Sequence, residues 1–462
     1  MSTASGSAAG SGSRTLHFLV NVGGAGYHPA AWREPGAEPA GFVDPAHFVR
    51  VARVAERGLF DAVLLPDIPV QQPGIARGPA ATLEPTLVST VIAAGTERIG
   101  VIPTASTSLN HPYNLARRIL SLDHASGGRA GWNAVTTFHP GAARNFGVED
   151  LPERPERYRR AAEFVRVTTA LWDSWEEGAL LGDQEGARFA DAAKVHAPGH
   201  RGEFFAVRGP LNVVRSPQGR PVLVQAGASG PGVAFAAAHA EVVYGSQLGL
   251  PGALRFTAEL RRAAGEAGRD PSAIRVVPGL VPVVGSTEEE ARRRFDALEA
   301  RRHPDDEPLR AFAAWLGIPV EDIDPDAPLR PDQLRLPAGR IGPEGFFASL
   351  AAHAAESGLP VRELLAQFLG GHRVVAGTPE QIADHIETWW RRGAVDGFTI
   401  VPPVLHHDLP AFVEHVVPVL QKRGLYRTEY PGLTLRANLG LQIPPNTFAP
   451  AGPDGTRPLE AS

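Results

Sequence analysis

The sequence predicts an α/β fold, namely a (β/α)8 TIM barrel built around eight parallel strands. Two observations carry this prediction: short apolar runs recur along the 462 residues, and helical patterns separate them. Most of the runs are continuously apolar, as is typical of parallel strands buried on both faces. The predicted strands are Leu16–Val22, Asp61–Pro66, Ile99–Ser106, Ala130–Thr136, Pro221–Gly227, Glu241–Ser246, Ile274–Val284 and Asp396–Pro403.

An open, doubly wound sheet is the competing interpretation of this alternation. A dinucleotide-binding fold of that kind carries a G-x-G-x-x-G turn between its first strand and first helix. Here the first strand runs into "NVGGAGYHP", so that Tyr27, His28 and Pro29 stand where a helix should begin. The barrel is therefore the favoured prediction.

Capping signals bound the helices between the strands. Asp44 followed by Pro45 predicts the start of a helix, and Gly58 predicts its end. Thr378, with Gln381 three residues later, predicts a capping box at the start of a later helix.

The remaining segments are interpreted as additions to one barrel domain. Insertions are expected after strands four and seven, at the barrel face where active sites are assembled. Pro444 and Pro445 argue against regular structure near the C-terminus. The predicted boundaries are a disordered Ser/Gly/Ala-rich tail at 1–14, the barrel at 15–425 with insertions at about 175–218 and 300–372, and a C-terminal extension at 426–462.

Composition excludes several classes of function. The chain has no cysteine, which excludes disulfides, thiolate nucleophiles and Cys-ligated metals. A formal net charge of −5 without a basic block makes nucleic acid and anionic membranes poor partners. No apolar run is long enough to span a bilayer, and no signal-peptide pattern is present, so we expect a cytoplasmic protein.

Polar residues follow several predicted strands. Asp67 follows the second strand, "PTASTSLNHPYN" ends the third, and "NAVTTFHP" ends the fourth. In a barrel the carboxyl ends of all strands meet at one face. The first strand runs into "NVGGAGYHP" and the fifth into "QAGASGPG", so the first five strands all have polar residues at this end. This indicates a shared site.

The run "QAGASGPG" joins the fifth strand to a helical pattern. Backbone N–H groups at a helix start, made approachable by glycine, form an anion site that suits phosphate. A tight strand-to-helix turn is the simpler interpretation. A serine nucleophile elbow needs G-x-S-x-G, and Pro231 stands at its last position.

Histidines supply the candidates for acid–base or substrate-positioning roles, although a single histidine is more often structural. No metal site is predicted, because Pro198 and Gly199 keep His196 and His200 off one helix face and no H-E-x-x-H motif occurs. The candidate histidines are His28, His111, His139 and His372.

Several long motifs occur in a characteristic order: "AAWREP", "TASTSLNHPYNLARRILSLDHASGGRAGWNAVT", "AARNFG", "ERYRRAAEFV", "HRGEFFAVRGPLNVVRSPQGRPVLVQAGAS" and "GHRVVAGTPEQIAD". In these the chain, from about Leu16 to Leu441, resembles the bacterial-luciferase-like flavin monooxygenases, in the group of the nitrilotriacetate, pristinamycin synthase and dibenzothiophene-sulfone enzymes. The resemblance implies a (β/α)8 barrel that uses reduced FMN (FMNH2) supplied by a separate NAD(P)H-dependent flavin reductase. O2 would add to the flavin as a peroxide or hydroperoxide, which oxygenates a small or medium organic substrate.

The resemblance also implies roles for individual residues. Asn133 with Thr136 or Thr137 would face the flavin, and Asp67 and Thr104 would lie beside its ring and ribityl chain. The residues implied for the FMN phosphate are Tyr158, Gly227, Ala228 and Ser229, and those near the substrate or the chemistry are His28, His139 and His372. The chain departs from the family in the run Phe138–Pro140, with proline where an acid is common.

Two alternatives stay open at this point. One is a deazaflavin (F420)-dependent oxidoreductase on the same barrel, and the other is a non-catalytic flavin-binding partner protein. For the barrel we expect a homodimer or homotetramer, because its helices are apolar and its C-terminal tail is long.

Overall fold

The computed structural model describes residues 14–71, 74–78, 83–227, 230–304, 308–335 and 344–449. Within these ranges the strands are β1 (His17–Asn21), β2 (Ala62–Leu65), β3 (Gly100–Ser106), β4 (Gly131–Val135), β5 (Leu180–Asp183), β6 (Arg188–Ala190), β7 (His200–Arg201), β8 (Ala206–Val207), β9 (Val222–Ala226), β10 (Val242–Tyr244), β11 (Arg275–Val276), β12 (Gly279–Val284), β13 (Phe368–Leu369), β14 (His372–Gly377) and β15 (Gly397–Ile400).

The α-helices of the described residues lie mostly between these strands. They are α1 (Pro45–Arg57), α2 (Pro85–Ala94), α3 (Pro112–Ala125), α4 (Pro140–Arg144), α5 (Arg154–Trp172), α6 (Gly230–His239), α7 (Leu250–Glu266), α8 (Glu288–Glu299), α9 (Pro308–Leu316), α10 (Glu344–Ser357), α11 (Val361–Leu365), α12 (Pro379–Arg391), α13 (Leu405–Ala411), α14 (Val417–Lys422) and α15 (Leu435–Asn438). None of them is both long and apolar enough to cross a membrane.

Each of the eight predicted strands contains an observed strand, and the prediction of an α/β fold is confirmed. The run Ile274–Val284 holds two strands, β11 and β12, which Val277 and Pro278 separate. Proline has no N–H to donate to a ladder, which explains the interruption. The predicted caps are also observed: Asp44 accepts a hydrogen bond from the Ala46 N–H, and Thr378 and Gln381 form the capping box.

One sheet holds eleven of the described strands, in the order β11–β10–β9–β4–β3–β2–β1–β15–β12–β14–β13. Its neighbours pair in parallel except β13 and β14. β11 and β12 stand far apart in this order but are consecutive in the chain. The Val277 N–H donates to the Val243 carbonyl and the Thr399 N–H donates to the Pro278 carbonyl, both at 2.9 Å, so the linking residues are bonded on both sides. The sheet is therefore strongly curled.

The hydrophobic core occupies both faces of the curled sheet. The concave face is lined by aliphatic side chains such as Leu19, Leu64, Ile102, Val222 and Val242. The convex face packs against the surrounding helices, since α1, α12 and α13 contribute buried residues to one large cluster with β1 and β2. Two-sided burial explains why the strand sequences are continuously apolar.

The described residues around Pro444 and Pro445 form neither helix nor strand, as expected, but the C-terminal extension contains the short helix α15 before them. Leu435 and Leu439, in and beside α15, join the cluster on the concave face of the sheet. A Cβ atom on Gly100, the first residue of β3, would lie only 2.7 Å from Leu435 Cδ1. The extension therefore closes the amino-terminal end of the sheet. A helix of one turn is too short to show periodicity, so sequence patterns miss it.

The two predicted insertion ranges form separate small structures. Residues 175–218 contain the hairpins β5–β6 and β7–β8. The described residues of 300–372 contain α9, α10 and α11, whose apolar residues form a cluster of their own around Phe312, Leu316, Phe347 and Leu364. Strand β14, which follows them, lies outside the set of predicted strands. It pairs with the outer edge of β12 and alternates between buried and half-buried residues.

The buried carboxyl group of Asp123 should make the free energy of unfolding depend on pH. This group is fully buried and accepts hydrogen bonds from the Ala130 N–H, at 2.9 Å, from Gln218 Nε2, at 2.7 Å, and from the Ser216 hydroxyl. Burial raises the pKa of Asp123 to about 6, although those hydrogen bonds oppose the shift. A raised folded-state pKa means that ionisation destabilises the fold, so this cost develops as pH rises from about 4 to about 6 and persists above.

Asp123→Asn removes the ionisation and keeps the shape. Urea unfolding at two pH values measures the difference between the unfolding free energies of the variant and the parent. We expect this difference to shift in favour of the variant by about 1–3 kcal/mol when the pH is raised from about 4.5 to about 7.5. The surface variant Asp332→Asn serves as the control. An Asp123→Asn difference that is the same at both pH values would contradict the prediction.

Candidate active site

The carboxyl ends of β3 and β4 bring two predicted site residues together. The register pairs Thr104 with Asn133, so both side chains point to the concave face. Asn133 Nδ2 donates to Thr104 Oγ1 at 2.9 Å, and both residues are buried. The other amide atom, Asn133 Oδ1, is buried and has no hydrogen-bond partner in the part of the chain that the structure describes. A buried, unpaired carbonyl oxygen is costly and therefore marks a place for a donor.

Next to this pair, the polar loop after β4 is tied to the end of β3. The hydroxyls of Ser106 and Thr137 are 2.6 Å apart, and the Thr137 N–H donates to Ser108 Oγ at 3.2 Å. Arg157 of α5 donates to the Thr137 carbonyl. Thr136 is half-buried beside them. Of the two threonines, Thr137 is thus the one held in place by bonds of its hydroxyl and backbone.

Asp67 lies in a cavity of about 460 Å³ that Thr104 and Ser106 also line. Glu84, the N-cap of α2, contributes a second carboxylate to the same cavity. Burial, together with the negative charge of Glu84, raises the pKa of Asp67 to about 6. A carboxyl group with such a pKa can hold or release a proton near neutral pH, which suits an acid–base group.

His372, at the start of β14, is buried at the centre of an aromatic cluster. Its ring centroid lies 5.4 Å from those of Tyr27 and Tyr244 and 5.3 Å from that of Phe346. Burial lowers the pKa of His372 to about 3, so the imidazole is neutral at physiological pH. A Cβ atom on Gly279, its neighbour in β12, would lie 2.2 Å from His372 Nδ1. Glycine at 279 is therefore required for His372 to occupy this position.

The Tyr244 hydroxyl links Asn21 to His372. Asn21 Nδ2 donates to this hydroxyl at 3.3 Å, and the hydroxyl lies 2.7 Å from His372 Nε2. The other ring nitrogen, His372 Nδ1, is buried and has no partner among the described residues. The site thus presents an unpaired ring nitrogen as well as the unpaired carbonyl oxygen of Asn133.

His28 has both ring nitrogens in use. Nδ1 accepts from the Ala30 N–H at 3.1 Å, and Nε2 lies 3.0 Å from Glu299 Oε1. Burial lowers the pKa of His28, against the opposing effect of Glu299. Its ring meets the edge of Phe295, with ring centroids 6.1 Å apart. This geometry favours a positioning role for His28 over proton transfer.

His139 is the N-cap of α4, where its Nδ1 accepts from the Gly141 N–H at 3.1 Å, and Pro140 is the first residue of that helix. His111 and Pro112 begin α3 in the same way. The unusual Phe138–Pro140 run is thus a helix start, since proline at the first helical position needs no hydrogen bond. His139 is half-buried, and its Nδ1 is occupied by the hydrogen bond that caps α4.

The residues expected at the phosphate are only partly described, because Ala228 and Ser229 lie outside the described residues. Gly227 adopts a φ of +155°, and a Cβ there would meet Gln225 Nε2 at 2.8 Å. Tyr158 of α5 packs on Phe235 in α6, with ring centroids 5.9 Å apart. Tyr158 therefore lies against α6, the helix that follows the "GAS" sequence.

Tyr244 and Asn21 are site residues that the sequence reasoning missed. Both follow the rule that identified the others, a polar group at the carboxyl end of an apolar strand. The predicted strand Glu241–Ser246 ends in "YGS", and Leu16–Val22 contains a single asparagine. Their contact crosses the concave face between strands that are not neighbours, and strand periodicity does not encode such a contact. In the described part of the chain no cluster of three or more His, Asp or Glu side chains could hold a metal ion.

Comparison with known proteins identifies the family. The family model described as luciferase-like monooxygenase matches residues 15–397. N-acetyl-S-(2-succino)cysteine monooxygenase of Bacillus subtilis (strain 168) is 40% identical over 439 residues, covering 94% of this chain and 99% of that protein. Nitrilotriacetate monooxygenase component A of Aminobacter aminovorans is 40% identical over 449 residues, covering 94% and 98%.

Among solved structures, riboflavin lyase (RcaE), determined with modified FMN and the substrate riboflavin, superposes with a TM-score of 0.80 at 30% identity. The match covers 93% of this chain and 96% of that one. The resemblance inferred from the motifs is thereby confirmed. The chain belongs to the luciferase-like monooxygenase family and is an enzyme of the monooxygenase class.

Proposed function

We propose that the chain is the oxygenase component of a two-component, reduced-FMN-dependent monooxygenase that uses O2 to oxygenate a small or medium organic molecule. The observation that supports it most is a set of buried polar atoms that have no hydrogen-bond partner among the described residues. Asn133 Oδ1 and Gln225 Oε1 belong to the carboxyl-terminal parts of β4 and β9, and His372 Nδ1 belongs to a ring that stacks on Tyr244, the last residue of β10. Buried polar atoms are nearly always paired in folded proteins, so unpaired atoms around one end of a sheet indicate a polar ligand.

The strand pairing supports closure of the sheet into the expected (β/α)8 barrel. β11 pairs with β10, β12 pairs with β15, and β15 pairs with β1. Counting β11 and β12 as one strand gives eight parallel strands with a neighbour on each side. In such a barrel the ends that carry Asn133, Asp67 and Tyr244 form the active-site face.

The residues at this face fit a flavin. The ring of FMN has N–H and carbonyl groups along one edge, and Asn133 offers an acceptor while His372 offers an unpaired ring nitrogen. Thr104 and Thr137 would add hydroxyls beside it, and Tyr158 with the turn from Gly227 would hold the phosphate. Reduced FMN, when bound, supplies the electrons that activate O2.

The protein's own part is to orient the flavin and to exclude water. Asn133, Thr104, Thr137 and His372 are all buried, so their hydrogen bonds act in a medium where water does not compete. Asp67 would hold a proton at its carboxyl group near neutral pH. His139 would act by fixing the start of α4, and His28 by its bond to Glu299.

The electrons would come from a separate NAD(P)H-dependent flavin reductase. The nitrilotriacetate relative is named as a component A, which supports a division of labour between chains. Assembly into a homodimer or homotetramer stays a prediction.

The test supplies the purified chain with FMN, NADH, a flavin reductase and a panel of candidate substrates under ¹⁸O₂. We expect one ¹⁸O atom in the product and no product when the reductase is omitted. Failure to bind reduced FMN at micromolar concentration, or turnover without oxygen when a reduced or oxidised deazaflavin is added, would contradict the proposal.

A further inference from the structure

A second cavity, of about 750 Å³, lies between α8 and the segment around α9 and α11. Its wall is largely aromatic and aliphatic, and this size is within the range of about 300–1,000 Å³ that small-molecule sites occupy. The apolar side chains that line it include Phe295, Leu309, Phe312, Leu365 and Phe368.

Tyr27 separates this cavity from His372. Tyr27 lines the cavity, and its ring centroid lies 5.4 Å from that of His372. Its hydroxyl donates to the Gly370 carbonyl at 3.2 Å. Gly370 also lines the cavity, has a φ of +54°, and would place a Cβ 2.5 Å from Tyr27 Cε1. A single aromatic side chain, Tyr27, packed against Gly370, therefore lies between the cavity and His372.

Each of the two arginines that line the cavity is paired with a carboxylate. Arg302 Nη2 donates to Glu299 Oε1 at 2.8 Å, and Arg362 Nη2 donates to Asp326 Oδ1 at 2.7 Å. Burial would raise the pKa of Glu299, but its hydrogen bonds outweigh burial and lower it to about 2. The carboxylate thus stays ionised beside Arg302. Asp296 adds a further negative charge to the lining.

An anionic ligand would consequently meet no uncompensated cation among the described lining residues. Binding it would require breaking an existing ion pair and desolvating the anion, both of which cost free energy. A neutral ligand meets no such cost and gains from contact with the apolar wall.

We propose that this cavity binds a neutral, largely apolar organic molecule. The next step rests on the proposed function: the molecule belongs to the substrate class of the oxygenase. It would pass Tyr27 to reach the side of this residue on which His372 lies. The chain would then select against carboxylate-rich molecules, although relatives act on nitrilotriacetate and N-acetyl-S-(2-succino)cysteine.

The test measures binding by equilibrium dialysis, with 2-naphthol as the neutral probe and 2-naphthoate as its anionic counterpart at pH 7. We expect 2-naphthol to bind at least about tenfold more tightly than 2-naphthoate. Leu365→Trp and Leu309→Trp enlarge half-buried side chains that line the cavity and should each weaken 2-naphthol binding about tenfold. Phe189→Trp, on the exposed hairpin β5–β6, should leave it unchanged.

Equal or tighter binding of 2-naphthoate would overturn the proposal. So would unchanged 2-naphthol binding in both cavity variants, provided that their thermal unfolding matches the parent. Because the dialysis contains neither flavin nor a reductase, its result is independent of whether the chain binds reduced FMN. Failure of the proposed function is read separately from the ¹⁸O₂ experiment.

Discussion

Replacing Arg436 with alanine is expected to lower the free energy of unfolding by about 3–5 kcal/mol, the cost of leaving a buried charge without its partner. Arg436 is only 2% exposed. Its Nη2 donates to Glu241 Oε2 at 3.0 Å and its Nε donates to the Gln218 carbonyl at 3.2 Å. Burial would raise the pKa of Glu241, but Arg436 outweighs burial and lowers it. Without Arg436, the half-buried Glu241 carboxylate would keep the hydrogen bond from the Leu223 N–H, at 3.1 Å, but would lose its ion pair.

The loss of stability should exceed that of the ion pair alone. Arg436 holds α15 in place, and the adjacent Leu435 and Leu439 pack in the cluster on the concave face of the sheet. Urea unfolding measures the effect. The matched control is Arg262→Ala, which removes an exposed pair with Glu266 and should cost less than about 0.5 kcal/mol. A loss for Arg436→Ala as small as that of the control would show that the C-terminal extension is not part of the core.

Replacing Asn133 with leucine is expected to weaken the binding of reduced FMN by about 10- to 100-fold, as the loss of a buried hydrogen bond costs about 1–3 kcal/mol. The side chain keeps nearly its size but loses the unpaired Oδ1, and Thr104 loses the bond from Nδ2. Anaerobic titration followed by flavin absorbance measures the dissociation constant.

Asn114→Leu changes the same residue type at an exposed position of α3 and is the control. It should bind reduced FMN like the parent. If Asn133→Leu folds normally and also binds reduced FMN like the parent, Asn133 does not face the flavin.

Prediction from sequence was most successful where one local rule decides the outcome. Eight apolar runs predict the parallel strands because burial on both faces requires apolar residues at every position. The caps at Asp44 and Thr378 depend on a few neighbouring residues and were equally predictable. Thr104 and Asn133 were singled out by the family resemblance, and the hydrogen bond between them was not predicted.

Contacts that cross the molecule were not predictable from one sequence. The bond between Tyr244 and His372 joins residues 128 positions apart, and Arg436 meets Glu241 across 195 positions. Neither pair leaves a periodic signal. His139 shows a different difficulty: its place in the run that departs from the family pattern suggested chemistry, and no sequence rule predicted that its Nδ1 accepts a hydrogen bond at the start of α4. The chemical role of His139 stays a prediction.

The most direct test of the central claim is a crystal structure of the chain with FMN bound. We expect the flavin ring at the carboxyl ends of β3 and β4, with Asn133 Oδ1 and His372 Nδ1 each within hydrogen-bonding distance of a polar ring atom. We expect the phosphate near Gly227 and the start of α6. FMN bound elsewhere, with Asn133 Oδ1 and His372 Nδ1 still unpaired, would contradict it.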